Sequence, residues 1–163
     1  MTDQRLAELH ELLGEPDELA SSVMSPLTAE GAGQELVVGL CASTREVYRG
    51  ICVLLERGLA EEARMLWRTL LDDTALLMWL VVHRDELEDL ALRYHYTAAT
   101  RSELIARAAG DAGFGWAAEM EAERVAQLSE IEGAAAERGL TLKQLPNTRQ
   151  LLQELRQHER LYY

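Results

Sequence analysis

The chain has 163 residues, of which 48 % are hydrophobic and 27 % are charged, and its formal net charge is −12. This composition is typical of one folded domain and excludes a disordered chain. The acidic balance argues against a nucleic-acid-binding protein, because contact with a phosphate backbone needs excess lysine and arginine. The longest apolar run, 76–82, excludes a membrane span, which takes about 20 residues.

Strong helix formers dominate the composition, so we expect an all-α fold with a single domain over residues 1–163. Its first part, 1–27, is predicted to contain a short N-terminal helix over 2–13 and a linker with two prolines. Its second part, 28–163, is predicted to form the bundle. Neither an alternating strand pattern nor a hairpin signal occurs in the sequence. The prediction is a bundle of five or six helices.

The first two helices of the bundle are the longest in the prediction. One runs from Thr28 toward Arg57, with Gly58 as its C-terminal cap. Glycines weaken its first half, so a kink or a later start is expected there. The next helix, over 59–83, is apolar nearly all round in its second half. Such a helix is expected to be central and covered on several sides.

Three further segments complete the predicted bundle. Residues 84–86 turn into a helix that reaches about Ala109, and a glycine-rich break follows over 110–115. A helix over 116–138 and a loop come next. Asn147 then has the residue type and position of an N-terminal cap for a last helix that runs to the end of the chain.

Two adjacent carboxylates lie inside the most apolar stretch of the chain, WRTLLDDTALLMWL. Helical spacing puts Arg64, Arg68 and Asp72 on one stripe, four residues apart. Asp73 points about 100° away from Asp72, so the two carboxylates do not share a proton. The pattern is typical of a structural ion pair between Arg68 and Asp72 that ties the helix to a neighbour. The alternative is a polar pocket on the bundle axis that binds a small molecule or an anion.

A second polar cluster lies in LRYHYTAATR, residues 92–101. Tyrosine, histidine and arginine together can bind an anion or transfer protons. Tyrosines that line a helix interface give the same pattern. The candidate polar pocket consists of Arg64, Arg68, Asp72, Tyr94 and His95.

Motifs for metal, phosphate and nucleophile chemistry are absent from the sequence. A di-iron bundle needs a glutamate three residues before a histidine on two helices, and none of the 4 histidines has one. The nearest approach is Glu154 with His158. The cysteines lack Cys-x-x-Cys spacing, GDAGFG lacks the phosphate-loop lysine, and Gly-x-Ser-x-Gly does not occur. We therefore assign no catalytic residue, no metal and no cofactor.

Arg5 and His10 have the Arg-x4-His spacing of a helical ribonuclease and nucleotide-binding superfamily found in bacterial toxins and phage defence. In that superfamily the motif lies on a late helix, whereas here it lies in the first turns. A ribonuclease-like function would require His10 or His158 to lie beside an arginine in a basic cleft.

A longer pattern runs through residues 35–163. Its segments are EEARMLWRTLLDDTALLMWL, RDELEDLALRYHY, the glycine break with its tryptophan, and the LTLKQLP loop. This pattern resembles an uncharacterised bacterial family of all-helical domains of unknown function. The resemblance implies the helical fold and no settled activity. Family members typically continue into a Ser…His segment, so this chain is either a shortened member or one whose terminal Tyr162 and Tyr163 pack into a partner.

The function expected from the sequence is a non-enzymatic helical interaction module. We expect it to be cytoplasmic, because the N-terminus has no apolar signal segment. It is expected to form a homo-oligomer or to bind a protein partner, in a bacterial defence or toxin–antitoxin setting, with Tyr162 and Tyr163 as the candidate interface. The alternatives are a small-molecule-binding or enzymatic bundle built on the polar pocket, and a ribonuclease-like domain.

Overall fold

The computed structural model describes the backbone of residues 31–162 and the side chains of residues 31–157. The predictions that fall outside this part of the chain concern the segment 1–27, Arg5, His10, Thr28, and the side chains of His158, Tyr162 and Tyr163.

The prediction of an all-α fold is confirmed. Within residues 31–162 the chain forms five α-helices and one 3-10 helix, and no strand occurs in that range. The helices are α1 (Ala32–Glu56), α2 (Ala60–Val82), α3 (Leu87–Asp111), α4 (Ala117–Glu137) and α5 (Thr148–Tyr162), and the 3-10 helix covers Arg84–Glu86.

The C-terminus of α1 and the N-terminus of α5 are capped by the residues that the sequence predicts. Gly58 follows α1 with a φ of 74°, a conformation that favours glycine. The Leu59 N–H then donates to the Leu54 carbonyl at 2.9 Å. At the start of α5, the Asn147 side chain accepts from the Gln150 N–H at 3.1 Å, and the Gln150 side chain accepts from the Asn147 N–H at 2.9 Å. This reciprocal pair is a capping box.

The N-terminus of α1 packs directly against the N-terminus of α3. The Gly33 N–H donates to Glu88 Oε1 at 2.9 Å, where the positive end of the α1 dipole favours a carboxylate. A Cβ on Gly33 would lie 2.7 Å from the backbone carbon of Leu87. Glycine at this position therefore permits a close contact between the two helices. The glycines do not divide α1, which is one α-helix over Ala32–Glu56.

The hydrophobic core lies where α1, α2, α3 and α5 meet. Leu80 of α2 is 0 % exposed and Leu90 of α3 is 1 % exposed. Trp79 is also buried, and its Nε1 donates to Glu154 Oε2 at 2.6 Å, which ties α2 to α5. Helix α4 packs on α3. The other buried members of the core cluster are Leu36, Leu40, Ala91, Leu151 and Leu155.

Helix α2 is continuous, as predicted, and it packs on α1 and α5. Neighbours do not cover it on every side, however. Trp67, Leu71 and Met78 are 50 %, 52 % and 51 % exposed, on the side of the helix opposite Leu80. The helix is thus covered on the sides that α1 and α5 contact, and the expectation of burial in the apolar second half does not hold for this face, because no helix of the described range packs on it.

Alanine at Gly33 is expected to lower the free energy of unfolding by about 1–3 kcal/mol, since the added Cβ overpacks against the α3 backbone. Alanine at Gly39 is the matched control on the same helix. Nothing lies within 4 Å of a Cβ added there, so this substitution is expected to stabilise the helix by about 0.5–1 kcal/mol. Urea unfolding followed by circular dichroism measures both changes. Equal effects of the two substitutions would contradict the close contact.

Candidate functional site

A cleft with a volume of about 470 Å³ lies between α2 and α3, next to the loop that leads into α5. Helix α2 contributes two carboxylates to one wall, and α3 contributes a phenol and a guanidinium group to the other. Apolar side chains lie between them. The lining residues that determine its chemistry are Asp72, Asp73, Leu76, Tyr94, Thr97 and Arg101.

Two hydroxyl groups of α3 hold the loop at the edge of the cleft. Thr97 is buried, and its Oγ1 accepts from the Leu145 N–H at 2.8 Å while donating to the Arg93 carbonyl at 2.7 Å. Thr100 accepts from Gln144 Nε2 at 3.2 Å. Because both bonds join the same loop to the same helix, this wall of the cleft has a defined position.

Asp72 connects α2 to the beginning of α5. Its Oδ1 accepts a hydrogen bond from the Thr148 hydroxyl at 2.7 Å. The predicted pair with Arg68 does not form, since no ion pair within residues 31–157 joins the two side chains. Helix α5 begins at Thr148 and runs along α2 toward Trp79, so Arg68 lies beyond its start and is exposed.

Asp73 connects α2 to α1 on the other side. Its Oδ2 accepts a hydrogen bond from the Ser43 hydroxyl at 3.3 Å. Burial raises the pKa of the Asp73 carboxyl above its ordinary value, the bond from Ser43 lowers it, and the charge of Asp72 raises it. The two adjacent carboxylates thus tie α2 to two different helices through hydroxyl groups.

The cleft contains two of the five residues predicted to form a polar pocket, Asp72 and Tyr94. Arg64 and Arg68 are exposed on α2 outside it. His95 is exposed as well, and its ring meets that of Tyr94 edge-on with 5.5 Å between the centroids. Asp72 is therefore beside an open cleft and is not sealed by an arginine.

Four polar residues of the site were absent from the predicted pocket: Asp73, Thr97, Arg101 and Thr148. The prediction sets Asp73 apart because it points about 100° away from Asp72. Thr97 and Arg101 follow Tyr94 by three and seven residues, so helical spacing alone would have put them on its face. Thr148 belongs to a helix that meets α2 only in the folded chain. No local pattern marks it.

The arrangement suits binding through charge pairs and hydrogen bonds. Two carboxylates stand on one wall of the cleft and one guanidinium group on the other, with apolar residues between them. Within residues 31–157 no three His, Cys, Asp or Glu side chains are grouped so that they could hold a metal ion. Among residues 31–162, none of the helices combines the length and the hydrophobicity of a membrane span.

Comparison with known proteins identifies the family. Residues 34–163 match DUF5677, a family of unknown function. The chain belongs to this family. The resemblance over about 35–163 is thereby confirmed, while the bacterial origin stays a prediction. No curated protein and no solved structure matches the chain.

Asparagine at Asp73 is expected to maintain or raise stability at neutral pH. It keeps an acceptor for Ser43 and removes a charge that burial disfavours. Since the folded-state pKa is raised, the ionised carboxylate costs stability above that pKa, and the cost vanishes below the unfolded value of about 3.9. The advantage of the variant over the wild type should therefore shrink as the pH falls from neutral toward 4.

Thermal unfolding at several pH values measures this difference. The control is Ser43→Ala, which keeps the carboxylate but removes its donor and is expected to lower stability at neutral pH. An Asp73→Asn variant that is less stable than the wild type by the same amount at every pH would contradict the prediction.

Proposed function

We propose that the protein is a non-enzymatic helical interaction module that self-associates through α2. The observation that carries this proposal is an apolar stripe on the exposed side of that helix, with members spaced by three, four or seven residues. Their exposed fractions run from 42 % for Val82 to 65 % for Val81. The apolar members of the stripe are Trp67, Leu71, Met78, Val81 and Val82.

The size of the stripe supports a reversible dimer. Half-exposed side chains of this kind leave on the order of 500 Å² of apolar surface on each copy. A standard stable interface buries about 800 Å² on each partner. The stripe supplies more than half of that area, and the charged residues at its ends add to it. A dissociation constant in the micromolar range is therefore expected.

The charges at the two ends of the stripe favour an antiparallel pair of copies. At its N-terminal end Arg64 pairs with Glu61 at 3.0 Å, and Arg68 leaves this side with a net positive charge. Arg84, Asp85 and Glu86 follow its C-terminal end and together carry a net negative charge. An antiparallel pair puts each basic end opposite an acidic end, while a parallel pair puts like charges together. A twofold axis also makes the surface self-complementary, as closed dimers require.

The one polar side chain within the stripe does not oppose burial. Thr74 already donates its hydroxyl to the Leu70 carbonyl at 2.7 Å. If a dimer covers Thr74, its hydroxyl keeps this hydrogen bond, so burying the side chain costs little free energy.

The finer proposal is a cytoplasmic bacterial protein in a defence or toxin–antitoxin setting. Cys41 and Cys52 are free thiols, and burial raises the pKa of both, which keeps them protonated. Inert thiols of this kind are typical of a reducing compartment. The net charge of −12 would steer encounters with a basic protein. Native mass spectrometry of the protein from its own host tests for a second copy and for such a partner.

Glutamate at both Leu71 and Met78 is expected to abolish self-association, because it puts carboxylates into the middle of the stripe and faces them with those of the partner copy. Sedimentation velocity over a micromolar concentration series measures the change. The control is Leu104→Glu on α3, which changes an exposed leucine outside the stripe and should leave the dimer intact. A wild-type chain that stays monomeric over this concentration range would contradict the proposal, even if it binds a basic protein partner.

A charge exchange tests the antiparallel orientation. Arg64→Glu is expected to weaken the dimer, because with Glu61 it makes the N-terminal end of the stripe net negative, like the end of the partner copy that it faces. Adding Asp85→Arg to the same chain should restore the affinity, since the pair is then recreated with opposite signs. A double variant that dimerises no more tightly than Arg64→Glu alone would exclude this orientation.

A further inference from the structure

We propose that the cleft between α2 and α3 binds a small zwitterion, an organic molecule with an ammonium group and a carboxylate separated by a short carbon chain. The volume of about 470 Å³ lies within the range of small-molecule sites, which span about 300–1,000 Å³. This site is independent of the apolar stripe, because it lies on the core side of α2.

The α2 wall supplies the site for the ammonium group. Asp72 and Asp73 both line the cleft, and Leu76 lies one turn further along the same helix. One oxygen of each carboxylate is hydrogen-bonded, to Thr148 and to Ser43 respectively. A carboxylate has about four acceptor positions and an ammonium group has three donors. The remaining acceptor positions can therefore receive a cation without breaking the ties of α2 to its neighbours.

The α3 wall supplies the site for the carboxylate. Arg101 lines the cleft, is exposed, and makes no ion pair with any residue of the range 31–157. A guanidinium group binds a carboxylate through two parallel hydrogen bonds. The Tyr94 phenol on the same face can add a third. Thr97 cannot, because its hydroxyl already joins Leu145 and Arg93.

The absence of an ion pair between the two walls of the cleft, both of which lie within residues 31–157, indicates the class of ligand. Opposite charges stand on facing walls without contacting each other, so one molecule with a charge at each end can connect them. The space between them is lined by apolar side chains, which suit a chain of methylene groups. A dicarboxylate would face two aspartates, and a simple amine would leave Arg101 without a partner. The lining residues that would contact the methylene groups are Leu76, Ala98, Leu145, Pro146 and Leu151.

Isothermal titration calorimetry on the full chain tests the proposal with four probes: 5-aminovalerate, 6-aminohexanoate, pentylamine and pentanoate. The expected result is that one of the two amino acids binds at least about tenfold more tightly than either monofunctional probe. Absence of binding by all four probes would overturn the proposal. So would equal affinity for 5-aminovalerate, 6-aminohexanoate and pentylamine.

Two substitutions test which side chains bind the carboxylate and the ammonium group of the ligand. Arg101→Gln is expected to weaken the amino acid about tenfold while leaving pentylamine unchanged. Asp73→Asn is expected to weaken both, since it removes the charge that faces the ammonium group. Arg107→Gln is the matched control on α3 outside the cleft and should change neither affinity. Equal losses in the Arg101 and Arg107 variants would overturn the assignment.

The same titration separates this site from the dimer. The chain with glutamate at Leu71 and Met78 should bind the amino acid with wild-type affinity, because those side chains lie on the opposite face of α2. Loss of ligand binding in that chain, with its fold intact by circular dichroism, would overturn the independence of the two sites.

Discussion

The burial of Leu80 fixes the rotation of α2, and the other surfaces of this helix follow from it. Leu80 is 0 % exposed within a cluster of side chains from α1, α3 and α5. An α-helix turns about 100° per residue, so Leu76 faces inward one turn earlier, and Asp72 and Asp73 lie to either side of that direction. Leu71 then points away from the core. One hydrophobic contact thus directs the carboxylates toward α5 and α1 and leaves the apolar stripe uncovered.

The ends of the helices could be predicted from the sequence, whereas the exposure of α2 could not. Gly58 and Asn147 act on groups within a few residues, so capping is a local property of the chain. Burial is not local. The second half of α2 is apolar nearly all round, and composition cannot tell which side a neighbour will cover. Gly33 is a similar case, because only the distant backbone of Leu87 explains why a glycine stands inside a helix.

The candidate site was partly predictable for the same reason. The sequence placed Tyr94 in the site together with His95, which lies outside the cleft, whereas helical spacing could have grouped Tyr94 with Thr97 and Arg101. Spacing also made Arg68 a possible partner for Asp72, but it could not reveal a competing hydroxyl. Thr148 lies 76 residues further along the chain, on a helix whose position depends on the core. Contacts between distant elements therefore decided which of the predicted pairs form.

Ties through hydroxyl groups have an electrostatic consequence that an arginine pair would not have. The bonds from Ser43 and Thr148 stabilise the two carboxylates without neutralising them. The α2 wall of the cleft thus keeps its negative charge in a partly buried position, where burial raises the pKa of Asp73. Asparagine would accept the same hydrogen bonds without the cost of a desolvated charge. At Asp73, where burial raises the pKa of the carboxyl, this cost is consistent with the cationic group that we propose for the cleft.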